Sequence, residues 1–522
     1  MATAAASDEV RAAPPGDSGS PDFSGVMARL LMAWIVVVAA LSFITVPWLS
    51  ATNGGDFTNS QVWFYHALML PAALLFLIAA SNVFTLHSWV RYLVSHSALI
   101  AIFEGAGFLI LGYGTQHNVA SLVDFGYWVI MPATLELFAV TVLFVIDLAW
   151  SALIPPRGAR MSPQKAEITW VFFFTGVSVL TWVVFGLVAA ASQVGMSWDF
   201  WARAQSESQS ALMGNVITAH SHGMLPSFMA AIVLLAAEAF GYSRLAGIRK
   251  QVARTGAGIM LAGIALYSGI YTVSALGTFA IPAWFPSGPG GVNGLAMDDT
   301  MTGLVGVGAL ILAGAMVPEL QGFFGRAAGG ATRRVRRVNP VRIGVYLTYV
   351  MACAAMFFYG YYIEMNEVAF GAGSTMSASR VFDDQIFTRA HLLFVFGALP
   401  VIAVFLLATE LMGAGTAVAA RIKRWMSSAV VTGMVVTLVG MGIWVFSTPG
   451  HESSWGPGSG GEVLFVIGQC LMLVGAIVAL FVPRLTGTAA VAAPVQPAPQ
   501  ERPRQGAAPA RDGTPAGARL AG

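Results

Sequence analysis

Twelve apolar stretches, each long enough to cross roughly 30 Å of hydrocarbon, leave this chain few folds to choose from. They run approximately 26–49, 61–84, 90–113, 125–152, 167–194, 212–241, 255–283, 300–319, 341–364, 386–412, 425–447 and 462–483. In a bilayer core no water is present to satisfy backbone N–H and C=O groups, so each stretch is predicted to be a helix. With 57% hydrophobic and 10% charged residues, the composition agrees. The predicted fold class is therefore an all-α polytopic membrane protein with twelve transmembrane helices. Residues 1–25 and 485–522, rich in Ala, Pro, Gly and Arg, are expected to be disordered tails flanking a membrane domain over 26–484.

The loops give an independent reading of topology. Alternate loops carry the Lys and Arg, as in PPRGARMSPQK, YSRLAGIRKQVART, GRAAGGATRRVRRVNPVR and ARIKRW. The intervening ones, such as TNGGDFTNSQ and HESSWGPGSGGE, are poor in both and carry acids, Gly, Ser and Trp. Positive loops stay cytoplasmic, so both termini are predicted inside and the number of spans even. No cleavable signal peptide is expected, because the first apolar run is span-length and comes late. The expected location is the bacterial inner membrane, among membrane lipids. A net charge of +2 whose basic residues follow topology gives no reason to expect a nucleic-acid partner. Cys353 and Cys470 both lie inside spans, which excludes a disulfide framework, and the absence of C-x-x-C-H excludes covalent c-type heme.

Chemistry enters with four histidines: His66 in span two, His220 and His222 in span six, and His391 in span ten. All three spans enter from the outer face, and the histidines lie roughly 8–15 Å below it at 1.5 Å rise per residue. Intramembrane imidazoles are costly unless they have a metal, a partner or a water path, so four at one depth point to bound heme or metal. Four spans separate each site from the next, and HALMLP, HGMLPS and HLLFVF echo one another, which suggests three pseudo-repeated four-helix units. Trp63, Phe64, Met69, Met224, Phe228, Phe394 and Phe396 are candidates for the surroundings of a heme.

Twelve spans with outer-side histidines in spans two, six and ten resemble the catalytic subunit of the heme-copper oxygen reductase and nitric oxide reductase superfamily. The resemblance implies three four-helix arcs, His66 and His391 as the axial pair of a low-spin heme b, and His220 or His222 as ligand to a second heme or copper. It further implies an oxidoreductase that passes electrons from a donor such as cytochrome c or quinol to a small-molecule substrate of the dioxygen or nitric oxide class, with an accessory subunit as a further partner. Two departures mark this chain as divergent. Arg389 stands where the family has its high-spin heme histidine, and span seven, GIALYSGIYTVSALGTFAIPAW, has no histidine.

The residues leave another arrangement open. Positions two apart on a helix are turned about 200° from each other, so His220 could meet His66 while His222 meets His391, or the reverse. His96 and Glu104 in span three, with Glu136 in span four, are candidates for a proton relay. Two other functional classes share these residues: a proton- or cation-coupled secondary transporter or metal carrier, and a non-catalytic heme-binding subunit.

Overall fold

A computed structural model describes residues 23–48, 57–156, 161–193, 207–275, 293–316, 344–345, 399–411, 417–447 and 460–481. Its helices are α1 (Phe23–Trp48), α2 (Phe57–Val83), α3 (Ser88–His96), α4 (Ala98–His117), α5 (Ala120–Leu153), α6 (Pro163–Gln193), α7 (Glu207–Ala239), α8 (Gly247–Ala275), α9 (Asn293–Met316), α10 (Leu399–Leu411), α11 (Ala417–Ser447) and α12 (Gly460–Ala479). Among the described residues there is no strand, and the protein is an all-helical membrane protein. Among the described residues, six helical segments are long and apolar enough to cross a bilayer: those in α1, α2, α5, α6 and α11, and α3 with α4 taken together. Four shorter apolar segments lie in α7, α9, α10 and α12. Expected span seven is the helix α8, and nearly all of span nine lies outside the described residues.

Span three is divided at Ser97, whose N–H still reaches the Leu93 carbonyl at 3.0 Å. The turn after it is tight. Asn118 closes α4 in the left-handed conformation at φ 53°, which Asn tolerates better than most residues, and Val119 N–H caps the Gly114 carbonyl at 2.8 Å.

Lipid tails are as apolar as leucine, so membrane helices associate by close packing, and small residues set how close they come. Three hairpins use this device. Between α4 and α5, a Cβ on Gly107 would stand 2.6 Å from Ile130 Cγ2, and one on Gly126 would stand 2.8 Å from Leu111 Cβ. Between α8 and α9, a Cβ on Gly256 would meet the Gly308 carbonyl at 2.7 Å, and one on Gly308 would meet Gly256 in return. Between α11 and α12, Gly433, Gly440 and Gly468 bring backbones together in the same way. In chain order these correspond to expected spans three and four, seven and eight, and eleven and twelve.

The centre is made by α2, α7 and α10, each of which packs against the other two. These are expected spans two, six and ten. From Phe228 to Ala237, α7 is buried throughout, and α10 is buried over nearly its whole described length. Around them α1 packs on α2 and α12, α5 on α6, and α6 on α7. The outer helices turn apolar side chains outward: Trp128 is 79% exposed, Trp425 73% and Phe103 64%. A surface of this kind is lipid-facing.

Ionic contacts gather at helix ends. Lys165 Nζ binds Glu238 Oε1 and the Val83 carbonyl, both at 2.7 Å, joining the start of α6 to the ends of α7 and α2. Arg254 pairs with Glu167 at 2.6 Å, and Tyr242 Oη donates to the same carboxylate at 3.1 Å. Burial, reinforced by the Glu167 charge, pushes the Tyr242 phenol above its ordinary range. Asp147 receives both the backbone N–H of His87 at 2.9 Å and its Nδ1 at 2.6 Å.

The glycine contacts predict a contrast within one residue type. Gly468→Ala drives a methyl into Thr437 and the Gly433 carbonyl and should cost about 1–3 kcal/mol. Gly258→Ala, where nothing lies within 4 Å, should leave stability unchanged or slightly raised. Thermal unfolding midpoints in detergent measure both.

Candidate metal centre

His66 sits near the start of α2, and its Nδ1 lies 2.7 Å from the carbonyl of Val62 one turn back. A carbonyl can only accept, so Nδ1 carries the proton and Nε2 is left with a lone pair. The ring is fixed from the side by Phe108 of α4, stacked at 5.2 Å between centroids and 23° between planes. Trp63 stacks on Phe108 in turn at 5.9 Å and meets Tyr127 of α5 edge-on at 6.2 Å. One aromatic set from α2, α4 and α5 therefore holds the imidazole.

His220 on α7 has the same anchor from a different source. Its Nδ1 lies 2.7 Å from the carbonyl of Trp182 on α6. Trp182 is fully buried, and its Nε1–H lies 3.1 Å from Ser227 Oγ and 3.2 Å from Ser178 Oγ. Ser178 also bonds Ser227 at 2.9 Å and Ser268 of α8. The indole passes over Gly223, and the imidazole lies against Gly186, with Nε2 3.0 Å from where a Cβ would be. Any larger residue at either glycine would occupy the space of a ring.

The two imidazoles are brought together. Their planes are 8° from parallel and their centroids 6.3 Å apart. Rings joined by a direct N–H···N bond would have centres roughly 5 Å apart. Two imidazoles on opposite sides of one metal, with bonds of about 2.0–2.1 Å, have centres roughly 6.3 Å apart. A loose offset ring pair also reaches that separation. What favours metal is that both Nδ1 protons are spent on carbonyls, so both Nε2 lone pairs are available, which is how ligating histidines are usually oriented. Two such imidazoles are what a heme iron takes at its axial positions.

The remaining candidates fall as follows. His391 lies outside the described residues. So does the side chain of His222, although its backbone belongs to α7. The structure separates the members of the expected relay. Glu104 is fully buried and receives Thr134 Oγ1, whereas His96 and Glu136 are exposed, His96 stacked beside Tyr92. His96 ends α3 and Glu104 belongs to α4, so the break at Ser97 falls between them. Thr134 is the partner of Glu104. Of the expected heme surroundings, Trp63 lies beside His66, Phe64 packs over Gly112, and Phe228 packs on Phe76.

Sequence reasoning passed over Phe108, Trp182, Gly186 and Gly223. The glycines were visible as small residues in apolar spans, but nothing local tied them to a histidine on another helix. Among the described residues no group of three or more His, Cys, Asp or Glu is placed to share a metal. No family model matches the chain, and no curated protein matches it.

Gly186→Val should push the His220 ring from its place with little effect elsewhere. If the pair holds iron, the expected result is a protein that purifies in wild-type yield with most of that iron lost, measured by elemental analysis. Full iron content would show that the ring position does not matter.

Proposed function

We propose that this protein is a membrane oxidoreductase in which His66 and His220 hold a low-spin b-type heme, divergent from the heme-copper oxygen and nitric oxide reductase type. The observation that carries it is the pair of near-parallel imidazoles 6.3 Å apart, each with its Nδ1 anchored on a carbonyl. Such a heme would supply one-electron transfer, since two axial imidazoles leave no open position for substrate.

Twelve spans in three four-helix arcs, with both termini cytoplasmic, form the scaffold of this reading. It is supported by the central trio α2, α7 and α10, and by three Gly-packed hairpins recurring at four-span intervals. The resemblance pairs His66 with His391. The ring geometry favours His220 as the partner, which leaves His222 and His391 for a second heme or copper, where a small molecule of the dioxygen or nitric oxide class would react. Electrons would come from a donor of the cytochrome c or quinol class. With basic loops inside, the centre lies in the outer part of a bacterial inner membrane.

A reduced-minus-oxidised visible spectrum of the purified protein should show sharp b-type bands. His66→Ala and His220→Ala should each abolish the low-spin signal, and His391→Ala should leave it. Loss in His391→Ala with retention in His220→Ala would restore the pairing implied by the resemblance. A colourless, iron-free protein would overturn the oxidoreductase reading and favour the transporter. Carbon monoxide binding to the reduced protein should reveal the second site, and no binding would leave a heme-binding subunit without catalysis.

A further inference from the structure

Glu136 stands midway along α5, roughly 24 Å from either end at 1.5 Å rise per residue, and is exposed. Thr134, two residues back and therefore turned about 200° from it, bonds the buried Glu104 inside the bundle. Glu136 accordingly belongs to the outer face of the helix, with Phe125, Trp128, Pro132, Leu135 and Ala139, which are all exposed. Among the described residues no hydrogen bond or ion pair holds it. A carboxyl group at that depth does not normally face lipid, since ionisable side chains within spans turn to the protein interior or to a partner.

The same face has a second polar group. Pro132 lies inside α5 and lacks the N–H that would bond the Trp128 carbonyl. Trp128 is 79% exposed and Pro132 is exposed too, so this opening in the ladder is on the lipid side. Helical side chains lean toward the N-terminus, which brings the Glu136 carboxyl back toward the depth of that carbonyl. As the neutral acid, Glu136 offers an O–H donor, and the Trp128 carbonyl is an acceptor. Phe125, Trp128, Pro132, Leu135 and Ala139 recur at alternating intervals of three and four, the spacing of a helix-pairing seam, and the small Ala139 permits close approach.

We propose that this face of α5 docks on the same face of a second copy of the chain, with each Glu136 donating to the other copy's freed carbonyl. Two copies inserted with the same topology are related by a two-fold axis along the membrane normal, which sets equal residues at equal depth. An interface of that symmetry must be complementary to itself. A donor and an acceptor at matching depth on one face meet this requirement, because both polar groups then leave the lipid in two reciprocal hydrogen bonds. Lipid tails answer neither group. A different polypeptide would have to bring a polar or basic side chain of its own to mid-membrane, whereas here donor and acceptor already stand on one chain. The pairing does not depend on the redox reading of the histidines.

The test is self-association of the purified full-length protein, labelled with donor or acceptor fluorophore and reconstituted in phosphatidylcholine vesicles over a range of protein-to-lipid ratios. Wild-type protein should show energy transfer that rises with its density in the lipid and saturates as a dimer does. Glu136→Leu should weaken that association roughly tenfold or more, as expected for two lost interhelical hydrogen bonds. The variant removes only a lipid-facing carboxyl group, so its helical circular dichroism should match the wild type. Glu136→Gln, whose amide still donates, should associate like the wild type. Wild-type energy transfer no greater than random proximity gives, association that persists in Glu136→Leu, or association lost in Glu136→Gln each overturns the proposal. A monomeric protein that captures a synthetic polyleucine helix with one central lysine, and not the all-leucine helix, overturns it in favour of a basic partner helix. Capture of neither overturns it in favour of lipid.

Discussion

Everything in this structure depends on helices approaching closely where the solvent gives no hydrophobic reason to associate. In water, burying leucine against leucine drives assembly. In lipid the exchange is nearly neutral, and contact depends on van der Waals packing and on hydrogen bonds that cannot be made elsewhere. The glycine contacts between α4 and α5, α8 and α9, and α11 and α12 supply the first. The Ser178, Ser227 and Trp182 cluster between α6 and α7, with Ser268 of α8, supplies the second. Charged pairs such as Lys165 with Glu238 stay at helix ends, where the penalty for burying charge is smaller.

These two modes also fix the candidate centre. His220 is oriented by the backbone of α6, which is held in register by the indole of Trp182, itself gripped by serines. His66 is oriented by its own helix and wedged by Phe108. One ring thus depends on inter-helix hydrogen bonding and the other on aromatic packing. Their near-parallel planes result from two independent supports.

The existence of helices and their approximate limits were legible in sequence because they depend only on apolar run length. Pairing was less so. His66 and His391 looked like partners through a family resemblance, yet which ring meets His66 is decided by helix rotation and by which helices touch, properties of the packed whole. Gly186 reads as one small residue among many until His220 is placed against it. The members of the expected relay differ in burial for a related reason. His96, Glu104 and Glu136 were grouped by depth, and depth leaves the facing of a side chain undetermined, so an exposed His96 and a buried Glu104 share one span.

Pro71 shows how a break in one helix ladder changes meaning with the solvent. Placed mid-helix in water, proline exposes a carbonyl that solvent satisfies. In lipid the Ala67 carbonyl must find a partner within the protein. It lies 3.2 Å from where a Cβ on Gly105 would be, close to Trp34 Nε1, so the break in the α2 ladder lies one residue from His66. The proline-created polar defect and the histidine anchor occupy consecutive stretches of the same helix.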